Sequence, residues 1–431
     1  MLYAVTRPLS EVPSLERLIA WADPHHPLLW TRGDRGAVGI GEALRLRFSG
    51  RDRFARAADA WRRIAARAVI EDGVGLPGSG LIAFGTFAFA DAAAGPGVGP
   101  GADDLASESV LIVPRMLIAR HRGVAWITEI SSSPLQGERP LPAPTGAGEW
   151  HGVHLPVEEA DESYLSGVRE AVARIERGRA EKIVVARHVR GAIPADDDLR
   201  VPLRRLAERY DDCWTYAVDG MIGASPETLV RHTDGAISAR VLAGTRGRKP
   251  EDPAADARAR DELLTSTKEQ HEHAFAVQSV VTALSPHVLS LHTSDEPFAL
   301  RLPNVWHLAT ELGAVPRGEG SSLELAAALH PTAAVAGTPT SQAVEAIAEI
   351  EPSGRGRYAG PVGWIDADGE GEWVIALRCA QLGEAEGGEH ASGVRSVTAY
   401  AGGGIVSGSD PAHEFGETVS KFAPVADAFA P

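Results

Sequence analysis

The chain has 431 residues, 44% hydrophobic, 23% charged and 6% aromatic, a composition that excludes disordered, collagenous and membrane-embedded classes. Asp and Glu outnumber Lys and Arg by 58 to 42, and the formal charge of −16 repels phosphate backbones, so no nucleic-acid partner is expected. Its two cysteines, Cys213 and Cys379, are too few for a disulfide framework or a thiolate metal site. With no leader-like N-terminus and no apolar run of roughly 18 residues, a cytoplasmic protein free of the membrane is expected.

In chain order, the first 150 residues read as short strands (Gly36 to Ile40, Leu44 to Phe48, Leu81 to Phe89, Val110 to Ala119) with one helical pattern, Arg53 to Ile70. A helix over Val157 to Gly178 precedes the apolar, β-branched strand Ile183 to Val189. There follow a helix from Leu203, strands Trp214 to Val218 and Thr228 to Arg231, and one long helical pattern from Asp256 to Leu284. The remainder alternates helices Ser321 to Leu329 and Thr340 to Glu349 with strands Val362 to Asp366, Glu372 to Cys379 and Ser396 to Ala401, ending in a helix from Pro411. Ala92 to Asp104 and Glu384 to Gly393 hold too few apolar residues to pack and are expected to be mobile loops. The many hairpin-like strands point to one large α+β unit rather than a βαβ series.

Glu269 and Glu272 stand at i, i+3 on a predicted helix, and Glu414 and Glu417 repeat the spacing. Two such pairs, converging, make an all-oxygen site suited to Mg²⁺; apart, each is a solvated acidic face. His271 and His273 face different directions and lack the HExxH spacing of a zinc protease, so zinc is not expected. In AGGGIVSG (401 to 408) the consecutive glycines allow close backbone approach to an anion, but the spacing is not that of a dinucleotide fingerprint. Lys421 lies on the helical face of Glu414 and can supply a cation, or is a surface lysine. At the mouth of the apolar run KIVVAR, Lys182 is placed to be desolvated into a general base, and Glu227 in GASPE to be shifted the opposite way into an acid. The bland alternative for Lys182 is a snorkelling side chain.

The ordered series KIVVAR (182 to 187), GASPE (223 to 227), LAGTR (242 to 246), KEQHEH (268 to 273), VWHL (305 to 308), HPT (330 to 332), YAGPVGW (358 to 364), ALR (376 to 378), AGGGIV (401 to 406) and PAHEFGET (411 to 418) resembles the chorismate-utilising enzymes. The likeness covers residues 160 to 425; residues 1 to 150 form a divergent N-terminal portion of the same domain, which spans 1 to 431. It implies stacked, mostly antiparallel sheets covered by helices, with chorismate and Mg²⁺ in a cleft. By that likeness Glu269, Glu272, Glu414 and Glu417 serve the metal. Arg378, Tyr358, Lys421 and the amides of Gly402 and Gly404 take the substrate carboxylates, and Gly244, Thr245 and His307 line the ring.

Departures within the family choose the chemistry. Ala243 stands where aminodeoxychorismate synthases usually have lysine, and Lys182 where anthranilate synthases usually have glutamine, which argues for water as the nucleophile. Ala334 resembles the isochorismate synthases, whereas the salicylate synthases, the alternative reading, tend to have threonine there. The resemblance therefore implies an isochorismate synthase serving menaquinone or siderophore synthesis, a monomer with no glutaminase subunit.

Overall fold

The computed structural model describes residues 1–90, 108–135, 137, 140–303, 305–385 and 393–431. Most of both low-complexity stretches, residues 92–104 and 386–392, lies outside the described residues.

Among the described residues two large sheets carry the fold, one of 12 strands and one of 10. The larger runs from the edge Gly337–Thr338 through Lys182–Pro194, Val394–Ile405, Cys379–Leu382, Met221–Ser225 and Trp214–Val218 into strands of the N-terminal part. There Leu28–Arg32 pairs with Trp214–Val218, so the first 150 residues extend this sheet instead of forming a separate one. In the smaller sheet, too, Ile82–Thr86 pairs with Pro361–Asp366. Pairing is antiparallel throughout the described strands except between Tyr3–Pro8 and Val69–Asp72. The α+β class and the predominance of antiparallel sheet are as the sequence implied.

The alternation of side chains along a strand explains the layering. Leu28 and Trp30 point into one apolar cluster with Phe84, Val362 and Trp364 of the smaller sheet. Leu29 points the other way, into a second cluster with Leu203 and Leu206 of helix Arg200–Arg209 and Phe422, Val425 and Phe429 of helix Pro411–Phe429. The larger sheet is thus apolar on both faces, which is why its strands read as near-continuous hydrophobic runs.

Several predicted boundaries are corrected. Val110 to Ala119 is two strands, Ser109–Val113 in one sheet and Met116–His121 in the other, because Pro114 interrupts the ladder between them. Glu372 to Cys379 likewise divides into Gly371–Ile375 and Cys379–Leu382 in different sheets. Predicted helix Arg53 to Ile70 stops at Ala65, and Val69 and Ile70 enter the parallel edge strand. The long helix from Asp256 is two, Pro253–Thr265 and Thr267–Leu284, broken at Ser266, whose extended backbone lets its hydroxyl accept the Glu269 N–H as an N-cap.

Candidate active site

A cavity of about 740 Å³ is lined by residues of both sheets and of helices Thr267–Leu284 and Pro411–Phe429. Every site residue singled out from the sequence lines it: Lys182, Glu227, Gly244, Thr245, Glu269, Glu272, His307, Ala334, Tyr358, Arg378, Gly402, Gly404, Glu414, Glu417 and Lys421.

Glu227 stands at the corner where the chain leaves Met221–Ser225 of the larger sheet for Thr228–Thr233 of the smaller. Ser225 fixes that corner: its hydroxyl donates to Ile375 O at 2.6 Å and accepts the Glu227 N–H at 3.2 Å. Burial pushes the Glu227 carboxyl up to about 8, against the opposing charges of Arg378 and Lys182, so it carries a proton at neutral pH. This is the shift expected of an acid. Lys182 begins its strand at the cavity, buried as the apolar run foretold, but it does not stand alone: its Nζ pairs with Glu272 at 2.5 Å.

His307 faces Thr245 across adjacent strands, Nδ1 lying 2.9 Å from the hydroxyl. Burial, reinforced by Arg378 and Lys421, lowers its pKa to about 3, so the ring is neutral. Among the described residues its Nε2 is buried with no hydrogen-bond partner, an arrangement that calls for a polar group on a bound molecule. By contrast, His273 is structural, with its ring held between Ala243 O at 3.1 Å and the Thr310 hydroxyl at 2.7 Å. At Gly244 the backbone, with φ +87°, favours glycine, and a Cβ there would lie 3.0 Å from Glu269 Oε2 and crowd it.

The two acidic pairs do converge on the cavity. Burial and then the neighbouring Glu272 raise the pKa of Glu269. Burial also raises Glu414, with Glu417 adding to it and the Ser409 hydroxyl opposing. Glu417 is lowered by Lys421, whose Nζ lies 2.5 Å away. Lys421 therefore pairs directly with Glu417, not Glu414, and also donates to Gly402 O at 2.8 Å. Each pair thus keeps one carboxylate matched by a lysine and one buried beside like charge. Among the described residues, no three His, Cys, Asp or Glu side chains are drawn together closely enough to hold an ion as they stand. The donor chemistry nevertheless fits a hard cation: carboxylate oxygens only, with Glu269 and Glu414 held in no salt bridge among the described residues.

Strand register explains the glycines. Val184 and Ala186 turn their hydrogen-bonding groups away from Val394–Ile405, as the Val184 N–H to Ala336 O bond of 2.9 Å shows, so Gly404 and Gly402 opposite them turn theirs away as well. On that side Cys379–Leu382 ends at the Cys379 to Tyr400 pair, leaving the Gly402 and Gly404 amides open to the cavity. Arg378 immediately precedes that strand at φ 49°. Arg378 and the two amides thus make one anion-receptive wall. Sequence reasoning passed over Arg246, Lys268 and His413, which also line the cavity although they sit inside the quoted motifs, and Arg355, for which no motif spoke.

A buried acid, a lysine, paired carboxylates and an anion-receptive wall in one cavity define an enzyme for a small acidic substrate. Residues 1–133 and 147–430 match the chorismate binding enzyme family, and the chain belongs to it. It is 39% identical over 284 residues to the isochorismate synthase DhbC of Bacillus subtilis, covering 63% of this chain and 69% of that one. Against the salicylate biosynthesis isochorismate synthase of Pseudomonas aeruginosa it is 31% identical, with 100% of this chain and 90% of the relative aligned. The solved structure of MenF, the menaquinone-specific isochorismate synthase of Escherichia coli, superposes with a TM-score of 0.74 at 25% identity, covering 100% of this chain and 95% of that one.

Proposed function

We propose that this chain is an isochorismate synthase that isomerises chorismate by adding water at C2 and expelling the C4 hydroxyl. The observation that carries the reading is the Lys182 and Glu227 pair, a lysine at the start of a larger-sheet strand and a protonated carboxyl at the corner between the sheets, lining one cavity. In its unprotonated form, the proton it shares with Glu272 given up, Lys182 Nζ takes a proton from the water that attacks C2, and Glu227 delivers its proton to the oxygen leaving C4, so one water enters as another departs. Arg378, Tyr358 and the amides of Gly402 and Gly404 bind the substrate carboxylates, while Gly244, Thr245 and Ala334 shape the ring pocket. The free Nε2 of neutral His307 hydrogen-bonds a substrate hydroxyl. Glu269, Glu272, Glu414 and Glu417 would hold Mg²⁺, which when bound supplies positive charge for a substrate carboxylate.

The product feeds menaquinone or siderophore synthesis in the cytoplasm, from a monomer with no glutaminase subunit. No described helix is long and apolar enough to cross a membrane. The test is incubation of the purified protein with chorismate, with and without Mg²⁺, followed by chromatography. Magnesium-dependent isochorismate is the expected product. Salicylate with pyruvate would overturn the assignment in favour of a salicylate synthase, and no turnover would overturn it altogether.

A further inference from the structure

Strand Lys182–Pro194 lies one place from the edge of the larger sheet, and its outer neighbour, Gly337–Thr338, is only two residues long. That neighbour pairs with Lys182 and Ile183, and Ala336 O accepts the Val184 N–H at 2.9 Å, after which no further strand among the described residues pairs on this side. The next two groups on this edge are Val184 O and the Ala186 N–H. Both are satisfied by side chains. Arg355 Nη2 donates to Val184 O at 2.9 Å, and Glu351 Oε1 accepts the Ala186 N–H at 2.9 Å.

Glu351 and Arg355 also bond to each other, at 2.6 Å between Nη2 and Oε1, with side chains only 6% and 2% exposed. The remaining guanidinium arm, Nη1, donates to Val335 O at 2.7 Å, beside Ala334. Its flat face rests on Phe89, 4.4 Å from the ring centroid. A donor and an acceptor at the spacing of a strand edge thus take over where the short strand stops, and the same guanidinium reaches the segment that lines the ring pocket.

We propose that the Glu351–Arg355 pair is a positioning unit: it stands in for the missing strand along Val184–Ala186 and fixes the Lys182 strand relative to the Ala334 segment. Its kinetic consequence rests on the isochorismate synthase reading; its structural consequence does not. The contacts are directional, because carbonyls accept only from the arginine and the amide donates only to the glutamate. Exchanging the two charges would restore an ion pair but neither backbone contact.

The test uses the full chain with Arg355→Lys, Arg355→Met and the double exchange Glu351→Arg with Arg355→Glu. Amide hydrogen exchange is read on peptides spanning 182–187, with 124–131 on a distant strand as control. In Arg355→Met and in the double exchange, the 182–187 amides should exchange at least about tenfold faster while the control is unchanged. Arg355→Lys, which keeps the charge and one donor, should fall between, and it carries the test if the other variants do not fold. With chorismate, kcat in Arg355→Lys should drop about 10- to 100-fold with KM within a few-fold, as misplacement of a base predicts. Wild-type exchange at 182–187 in every folded variant, rescue by the double exchange, or a change confined to KM would each overturn the proposal. Failure of the wild-type protein to convert chorismate would remove the functional reading, and the exchange experiment would still decide the positioning role.

Discussion

Gly404 and Lys182 occupy the same space: a Cβ on Gly404 would fall 2.5 Å from Lys182 Cε and 3.1 Å from its Nζ. The glycine is therefore required by the lysine. Gly404→Ala should push the lysine off its path, costing about 1–3 kcal/mol of stability if the backbone gives instead. Either way, turnover should fall at least about tenfold, the order of loss for a misplaced catalytic group. Steady-state kinetics beside a thermal melt separate the two effects, and an alanine variant with wild-type kcat would refute the packing argument.

Lys182→Ala should cut kcat by about 10²–10⁴-fold, the range for loss of a general base, with chorismate binding largely retained. Ligand binding followed by fluorescence or calorimetry supplies the second half of that statement. Near wild-type turnover would remove Lys182 from the mechanism.

The Glu227 carboxyl, held at about 8 by burial, sets the alkaline side of the pH profile. Activity should decline as pH rises through about 8, because the acid loses the proton it must donate. Stability follows the same group. The folded chain keeps a proton that the unfolded chain, with a carboxyl at its ordinary value of 4.5, releases. Between those two values the folded state is weakened by up to about 1.4 kcal/mol per pH unit. The contribution is complete below the lower value and lost above the upper one. Glu227→Gln should flatten this slope, and denaturant midpoints at about pH 6 and pH 8 for both proteins measure it.

Glu417→Ala removes a carboxylate and frees Lys421, its partner at 2.5 Å. The Mg²⁺ concentration giving half-maximal activity should rise at least about tenfold, with KM for chorismate rising alongside. An unchanged magnesium titration would take Glu417 out of the metal site.

The chemistry-bearing residues were legible because ordered motifs carry them, and helix spacing placed Glu269 with Glu272 and Glu414 with Glu417. Partners were not legible. That Lys182 meets Glu272, 90 positions away, or that Lys421 prefers Glu417 to Glu414, depends on how strand and helix faces meet, which periodicity does not encode. The boundary errors have one source. Val110 to Ala119 and Glu372 to Cys379 read as continuous strands because each half is apolar, and apolarity does not say to which sheet each half belongs. The role of Arg355 was hidden for a related reason: besides Glu351 it meets the carbonyls of Val184 and Val335, and backbone groups have no sequence signature.

Glu227 and Arg378 both ride on segments that pass from one sheet to the other, whereas Lys182 belongs to the larger sheet and His307 to the smaller. The distance from base to acid is therefore a property of the sandwich as a whole. A substitution deep in the shared apolar layer, such as one at Trp30 or Phe84, would be felt at the cavity as a sideways slip between two plates. Drift in catalytic fidelity during evolution could then begin far from any residue that touches substrate.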